Sequence, residues 1–373
     1  MSADADVAAP LAALLGRDGV ARVLALLNRD GEQARVVGGA VRNVLMGLPI
    51  ADIDIATTAL PDEVLARGRA AGMHAVPTGY EHGTITLVVD GAPHEVTTLR
   101  RDIDTDGRRA VVEYGRDFRA DALRRDFTIN ALSLDAAGRL HDYAGGLDDL
   151  AARRVRFIGD ADQRIREDYL RILRFFRFSA VYGGGALDPE GLAASIRGRD
   201  GLAALSRERI RQEMLKLLVA AHGPACVAAM ADAGLLGETL RGPADPPRLL
   251  KLAAMEAAHA VPPDAMRRLA ALAVGGPDDV ARLREALRLS NGEVAMLGRI
   301  RRVEDDIRRD GVPDAAALRR LAYLFGDAAL RHGLLLAAVD GHVPAAGAAA
   351  GPVEIPRFLL TGKDVIARGV PKG

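Results

Sequence analysis

Tryptophan is absent from the 373 residues, aromatic side chains make up only 4% of them, and there is one cysteine, Cys226. A lone cysteine excludes an intramolecular disulfide. The N-terminus also does not combine a basic segment, an apolar run and a cleavage site, so a reducing, cytoplasmic compartment is expected. Uninterrupted apolar stretches of about 18 residues are missing too, which excludes a membrane-spanning helix; the Ala-rich runs at 217–236 and 333–350 are broken by charge or glycine. Net charge is likewise zero, 50 Lys+Arg balancing 50 Asp+Glu, which at first sight speaks against a nucleic-acid partner. Lysine is scarce, occurring only at Lys216, Lys251, Lys363 and Lys372. Such an arginine bias is what a GC-rich coding sequence produces, so arginine frequency alone identifies no function.

At about 100–200 residues per domain, the length predicts two to four domains. Residues 1–150 alternate in type. Val20–Asn28, Val41–Met46 and Pro61–Ala71 have helical spacing, whereas Arg35–Val37, Ile53–Ala56, His74–Pro77, Thr84–Val89 and His94–Leu99 read as strands. Asp90-Gly91-Ala92-Pro93 between the last two suits a hairpin turn, so the sheet is expected to be mixed or antiparallel rather than doubly wound. Beyond residue 150 the strand signal fades, and Asp162–Tyr182, Leu202–Ala221, Ala225–Leu236, Arg248–Ala258, Asp264–Val274, Pro277–Leu289, Gly292–Arg309 and Pro313–Phe325 read as helices. Ala345–Pro352 is Ala/Gly-rich and reads as a mobile connection.

Three constellations carry chemistry. In the first, a strand ends at Gly38-Gly39 and a helix follows with Arg42; glycines admit backbone amides to a phosphate, and Arg42 can pair with its oxygens. Taken alone, such glycines more often mark a plain tight turn than a phosphate site. Asp52 and Asp54 lie two apart, so on a strand both carboxylates point to one side, where a cation such as Mg²⁺ would relieve their repulsion. Glu95 supplies a third carboxylate on a neighbouring strand, and a solvated loop or surface acid is the alternative for all three. The second constellation is Leu123-Arg124-Arg125-Asp126-Phe127-Thr128-Ile129-Asn130-Ala131, otherwise a surface Arg–Asp pair. The third runs from Arg166 to Arg177, where Asp168 and Arg171 at i and i+3 would share a helix face, otherwise as an ordinary salt bridge.

In combination, GGAVRNVLMG, DIDIAT, HGTITLVVDGAPHEVTTLR, LRRDFTINAL and DYAGGLDDLAARRVRFIGDADQRIREDYLRILRFFRF resemble, in that order, the bacterial class II tRNA nucleotidyltransferases (CCA-adding enzymes) and the related poly(A) polymerases, over about residues 35–216. The resemblance implies an α+β fold with a polymerase-β-like nucleotidyltransferase head (1–150), a helical neck with a nucleotide-reading helix (151–216) and an all-α body and tail (217–373) that binds tRNA. It implies two Mg²⁺ ions on Asp52 and Asp54 with Glu95 as third carboxylate, and a triphosphate at Gly38, Gly39 and Arg42. Arg125 would bind nucleotide, and Asp168, Arg171, Arg174 and Arg177 would form the reading helix, with Arg171 the safer assignment because on an ideal helix Asp168 and Arg177 face opposite ways. The implied reaction is template-independent addition of CTP and ATP to the tRNA 3′ end by two-metal in-line displacement. A poly(A) polymerase, a CC- or A-only enzyme, and a non-catalytic RNA-binding relative are the alternatives.

Three positions depart from the family pattern. Asn43 replaces the usual Asp after Arg42, so an amide rather than an ion pair is expected to hold the guanidinium. Tyr169 stands where many relatives have proline or a small residue, and Leu360–Val365 resembles the start of a tail motif near the chain end. The zero charge is itself a cancellation: residues 1–150 carry −7, 151–216 carry +5 and 217–373 carry +2. A localised basic face for RNA is therefore compatible with neutrality, with weak non-specific binding.

Overall fold

In a computed structural model, residues 3–105, 110–345 and 362–369 are described. The Ala/Gly-rich run from residue 346 onward and Leu360-Thr361 of the tail motif lie outside them. The chain forms two compact units, Met1–Leu202 and Ala203–Gly373. Helices of the expected neck up to residue 202 thus pack as part of the head's unit.

The first unit opens with α1 (Ala3–Leu15) and α2 (Asp18–Leu27), followed by β1 (Ala34–Val37), α3 (Gly39–Leu45), β2 (Asp54–Thr57), α4 (Pro61–Ala70), β3 (His74–Gly79), β4 (Thr84–Val89) and β5 (Ala92–Thr98). Then come β6 (Arg100–Thr105), β7 (Ala110–Tyr114), α5 (Phe118–Leu123), β8 (Ser133–Asp135), β9 (Leu140–His141), α6 (Gly146–Ala151), α7 (Ala161–Glu167), α8 (Leu170–Tyr182) and α9 (Pro189–Arg197). The main sheet has the order β3-β4-β5-β2-β1-β8-β9, with β2 and β5 parallel and the other neighbours antiparallel, so the expected mixed sheet is found. Val20, Val23, Leu24 and Leu27 recur at helical spacing and pack with Val36, Ile55, Ile85, Leu87 and Val96 into one core on one face of the sheet. Val37, Ala56, Leu99 and Phe118 form a smaller cluster apart from it.

The hairpin between β4 and β5 is tighter than the sequence suggests. Val89 pairs with Ala92, leaving only Asp90 and Gly91 in the turn, both at positive φ (50° and 81°) as a type I′ turn requires. Ala92 and Pro93 belong to the strand. The helix expected over 162–182 is broken: α7 ends at Glu167, Asp168 is extended (φ −158°, ψ 106°), and α8 starts at Leu170. Asp168 and Arg171 therefore do not share a face of one continuous helix. The two-stranded ribbon β6–β7 and α1, which carry no clear apolar period, and α9, which is amphipathic and capped by Asp188, are elements the sequence reading lacks.

The second unit is built of α10 (Arg207–Val219), α11 (Gly223–Asp232), α12 (Leu236–Leu240), α13 (Pro246–Ala258), α14 (Ala265–Ala273), α15 (Asp279–Leu287), α16 (Asn291–Asp310), α17 (Ala315–Phe325), α18 (Asp327–Val339) and α19 (Gly362–Ala367). Capping acids at Asp245, Asp264 and Asp314 and a capping box at Ser290/Glu293 start its helices. Leu249, Leu252, Leu269, Leu283, Leu297, Ile300 and Leu336 are wholly buried within this unit, as are all but traces of Cys226, whose thiol burial pushes up to about 11. No helix among the described residues is long and apolar enough to cross a membrane.

Candidate active site

At the end of β1 the chain turns through Gly38 at φ +66°, a conformation that side chains disfavour; a Cβ there would also sit 3.0 Å from Arg125 Nη1. The turn leads directly into Gly39 and Arg42 of α3. On the adjacent strand Asp54 lies in parallel register opposite Glu95. Their neighbours Ile55 and Val96 are wholly buried in the helix-covered core, so strand alternation turns both carboxylates to the other face. Asp52 and Ile53 precede β2, so Asp52 does not lie on the strand as expected, although Ile53 is buried and Asp52 exposed.

Although Asp54 leaves much of its surface open, the protein wall behind it, followed by the charges of Glu95 and Asp52, raises its carboxyl pKa, with Arg125 opposing. Among the described residues no three acidic, histidine or cysteine side chains form a complete metal site, so this acid edge offers a divalent cation a partial shell. Mg²⁺ commonly takes one or two carboxylates and completes its shell with substrate phosphates and water, so no full protein cage is needed.

Gly38, Gly39, Arg42, Asp54, Arg125, Asp126, Asn130, Asp168, Arg171, Arg174 and Phe178 wall a cleft of about 450 Å³ that opens to solvent. Eight expected site residues thus converge, whereas Asp52, Glu95 and Arg177 are not among its walls. Arg42 is only 5% exposed. Its Nε and Nη2 donate to Asn43 Oδ1 at 3.1 and 2.8 Å, its Nη1 donates to Asn130 Oδ1, and Nη2 also donates to Tyr182 Oη at 2.6 Å. The expected amide hold on Arg42 is therefore present. Burial, with the like charges of Arg177 and Arg174, pushes Arg42 down to about 10 against the opposing pull of Tyr182 and Asp126, so it stays cationic at neutral pH.

The Arg124–Ala131 segment is pinned from behind. Thr128 Oγ1 donates to buried Asp149 at 2.6 Å, and Gly146 packs so closely that a Cβ would fall 2.4 Å from the Thr128 carbonyl oxygen. Phe127 packs on Phe157 and Phe178 with ring centroids 4.9 and 5.1 Å apart, and Phe175 continues the cluster. Asp126, held there, accepts from Asn130 Nδ2 at 2.9 Å and from Arg174 Nη2 at 2.6 Å. Burial alone would raise its carboxyl, but Arg174, Asn130 and the Phe127 amide hold it below the usual range. Arg125 donates to Asp121 at 3.0 Å and to the Asn130 carbonyl at 3.3 Å.

At the helix break Asp168 Oδ1 accepts the Leu170 amide at 3.1 Å, and Arg171 Nη1 donates to Glu167 at 2.6 Å and to the Arg164 carbonyl at 2.9 Å. Arg174 is bound to Asp126, and the Arg177 guanidinium lies 4.4 Å from the Phe178 ring centroid. Asp126 and Asn130, named in the second constellation without a role of their own, and Phe178 and Tyr182 are site residues that the sequence reading did not assign. Their signal was present for the first two, which are the polar positions i and i+4 in an apolar stretch.

Residues 34–156 match the family described as the poly A polymerase head domain, and residues 186–244 match the one described as the probable RNA and SrmB-binding site of polymerase A. The chain is 40% identical over 280 residues to the CCA tRNA nucleotidyltransferase 1, mitochondrial, of Danio rerio, covering 74% of this chain and 64% of that protein. It is 41% identical over 216 residues to the CCA-adding enzyme of Geobacillus thermodenitrificans, covering 57% and 52%. The matches thus span from about half to just under two thirds of these relatives. Among solved structures, the Bacillus stearothermophilus CCA-adding enzyme in complex with CTP is similar at a TM-score of 0.70 and 28% identity, over 98% of this chain and 89% of that one.

Proposed function

We propose that this chain, whose residues 34–156 match the poly A polymerase head domain, is a CCA-adding tRNA nucleotidyltransferase, transferring CTP and ATP to the tRNA 3′ end without a nucleic-acid template. The observation that carries this reading is one cleft joining a carboxylate edge, a glycine turn with a buried arginine, and an Asp168/Arg171 pair. A reducing, cytoplasmic setting suits the buried Cys226.

Asp52 and Asp54, with Glu95 beside them, would hold Mg²⁺. Two ions held there would supply the two-metal chemistry, one lowering the pKa of the primer 3′-OH and the other stabilising the pyrophosphate leaving group. Gly38, Gly39, Arg42 and Arg125 would receive the triphosphate; Arg174, bound to Asp126, and Arg177, beside the Phe178 ring, would act on the phosphates or orient Asp168 rather than read the base. Asp168 accepts from the exocyclic amine that C and A share, while Arg171 donates to the adjacent ring nitrogen. U and G present a carbonyl beside an N–H, so each contact fails, at about 1–3 kcal/mol per unpaired buried group. The helical unit, which carries 24 basic and 20 acidic groups, would hold tRNA. A poly(A)-adding or a CC- or A-only activity shares the head motifs and differs in its products.

Asp54→Ala is expected to abolish nucleotide transfer with tRNA affinity nearly unchanged, and Asp168→Ala to erode the preference for CTP and ATP over UTP. Full transfer by the first variant removes the metal assignment; unchanged rejection of UTP by the second removes the template.

A further inference from the structure

Arg42 is an unusual buried cation. Charged side chains are rarely buried unless an opposite charge pairs with them, yet all its direct hydrogen-bond acceptors are neutral: Asn43 Oδ1, Asn130 Oδ1 and Tyr182 Oη. Asp126 is reached only through Asn130, and that carboxylate is already gripped by Arg174. Asn43 is itself fixed, donating to the Pro49 carbonyl at 2.8 Å. On the other side the guanidinium carbon lies 3.8 Å from the centroid of the Tyr182 ring, which supplies both a π face and a hydroxyl acceptor. Tyr182 closes the C-terminal end of α8, and Arg174 lies eight residues before it, about 12 Å along the axis. The helix that carries Arg171 thus reaches Arg42 twice, through Tyr182 directly and through Arg174, Asp126 and Asn130.

Resting on the reading of Arg42 as a triphosphate ligand, we infer that Tyr182 is a positioning residue that aims Arg42 into the cleft, and that Asn43, accepting without charge, leaves the charge of Arg42 to the triphosphate. Two consequences separate this from a structural role. The contribution is common to every nucleoside triphosphate, because it acts on the phosphates and not on the base. Stability and affinity also part company at Asn43: a carboxylate there would pair with Arg42, stabilising the fold while competing with the ligand.

The test is calorimetric binding of inorganic tripolyphosphate, CTP, ATP and UTP to the full chain, with melting temperatures recorded alongside. Tyr182→Phe keeps the ring and removes the acceptor; it should weaken tripolyphosphate, CTP and ATP by one common factor, about tenfold, without changing the CTP:UTP ratio. Asn43→Asp should raise the melting temperature and weaken tripolyphosphate. Unchanged tripolyphosphate affinity in Tyr182→Phe, a loss confined to one base, or tighter binding in Asn43→Asp would overturn the inference. Wild-type protein that binds tripolyphosphate but transfers no nucleotide defeats the enzymatic reading alone; wild-type protein that transfers nucleotide while Tyr182→Phe binds normally defeats only the role of Tyr182. No binding of tripolyphosphate to the wild type overturns the anion site.

Discussion

Asp54 and Glu95 sit side by side on parallel strands, and their proximity has a sign that can be measured. Burial, then Glu95 and Asp52, raise the Asp54 carboxyl above 3.8 while Arg125 opposes them. A raised carboxyl keeps its proton to higher pH, so cation binding should weaken on acidification earlier than for an ordinary carboxylate. Mn²⁺ binding followed by electron paramagnetic resonance from about pH 4 to about pH 8 should show this acid limb. Glu95→Gln should move it to lower pH, and a limb that stays in place or moves up contradicts the coupling. The period-two spacing of Asp52 and Asp54 was legible in the sequence. The hold on Arg42 was legible only in part: Asn43 is its chain neighbour, but Asn130 and Tyr182 are 88 and 140 residues away, and nothing local marks either as a partner of Arg42.

The elements show the same division. β4 and β5 announce themselves by apolar runs around Asp90-Gly91, and α13 to α16 by caps and periodicity. The β6–β7 ribbon has no such pattern, because Arg100, Arg101, Asp102 and Asp104 interrupt any apolar alternation. The break between α7 and α8 contains neither glycine nor proline. Its causes are the Asp168 side chain, which accepts the Leu170 amide, and Tyr169, packed so closely on Gly201 that a Cβ there would fall 2.0 Å from a ring carbon. Tyr169 thus meets a residue that sequence inspection had no reason to place beside it. Gly201→Ala should displace Tyr169 and with it Asp168, reducing discrimination of CTP over UTP while tripolyphosphate affinity holds. Single-nucleotide incorporation with each triphosphate checks this; unchanged discrimination would show that Asp168 does not depend on that contact.

Across the molecule, neutrality conceals a division of charge. The first unit carries 26 basic and 30 acidic groups, and the second 24 basic and 20 acidic, so −4 is offset by +4. The scarce aromatics are also unevenly placed: Phe127, Phe157, Phe175, Phe176 and Phe178, five of the eight phenylalanines, cluster together, Phe178 reaching the cleft wall, and fix α8 against the Arg124–Ala131 segment. Composition alone spoke against RNA; the proposed function restores it, because acids concentrated beside the Gly38-Gly39 turn have a use in nucleotide transfer and little in simple RNA binding. The most direct measurement of the central claim supplies Mg²⁺ and each labelled triphosphate in turn, and in combination, with a tRNA lacking CCA, a tRNA lacking only the terminal A, and a generic RNA. The account predicts C, C and A added to the first, a single A to the second, and almost nothing to the third. Long A tracts on generic RNA, or no incorporation on any substrate, would contradict it.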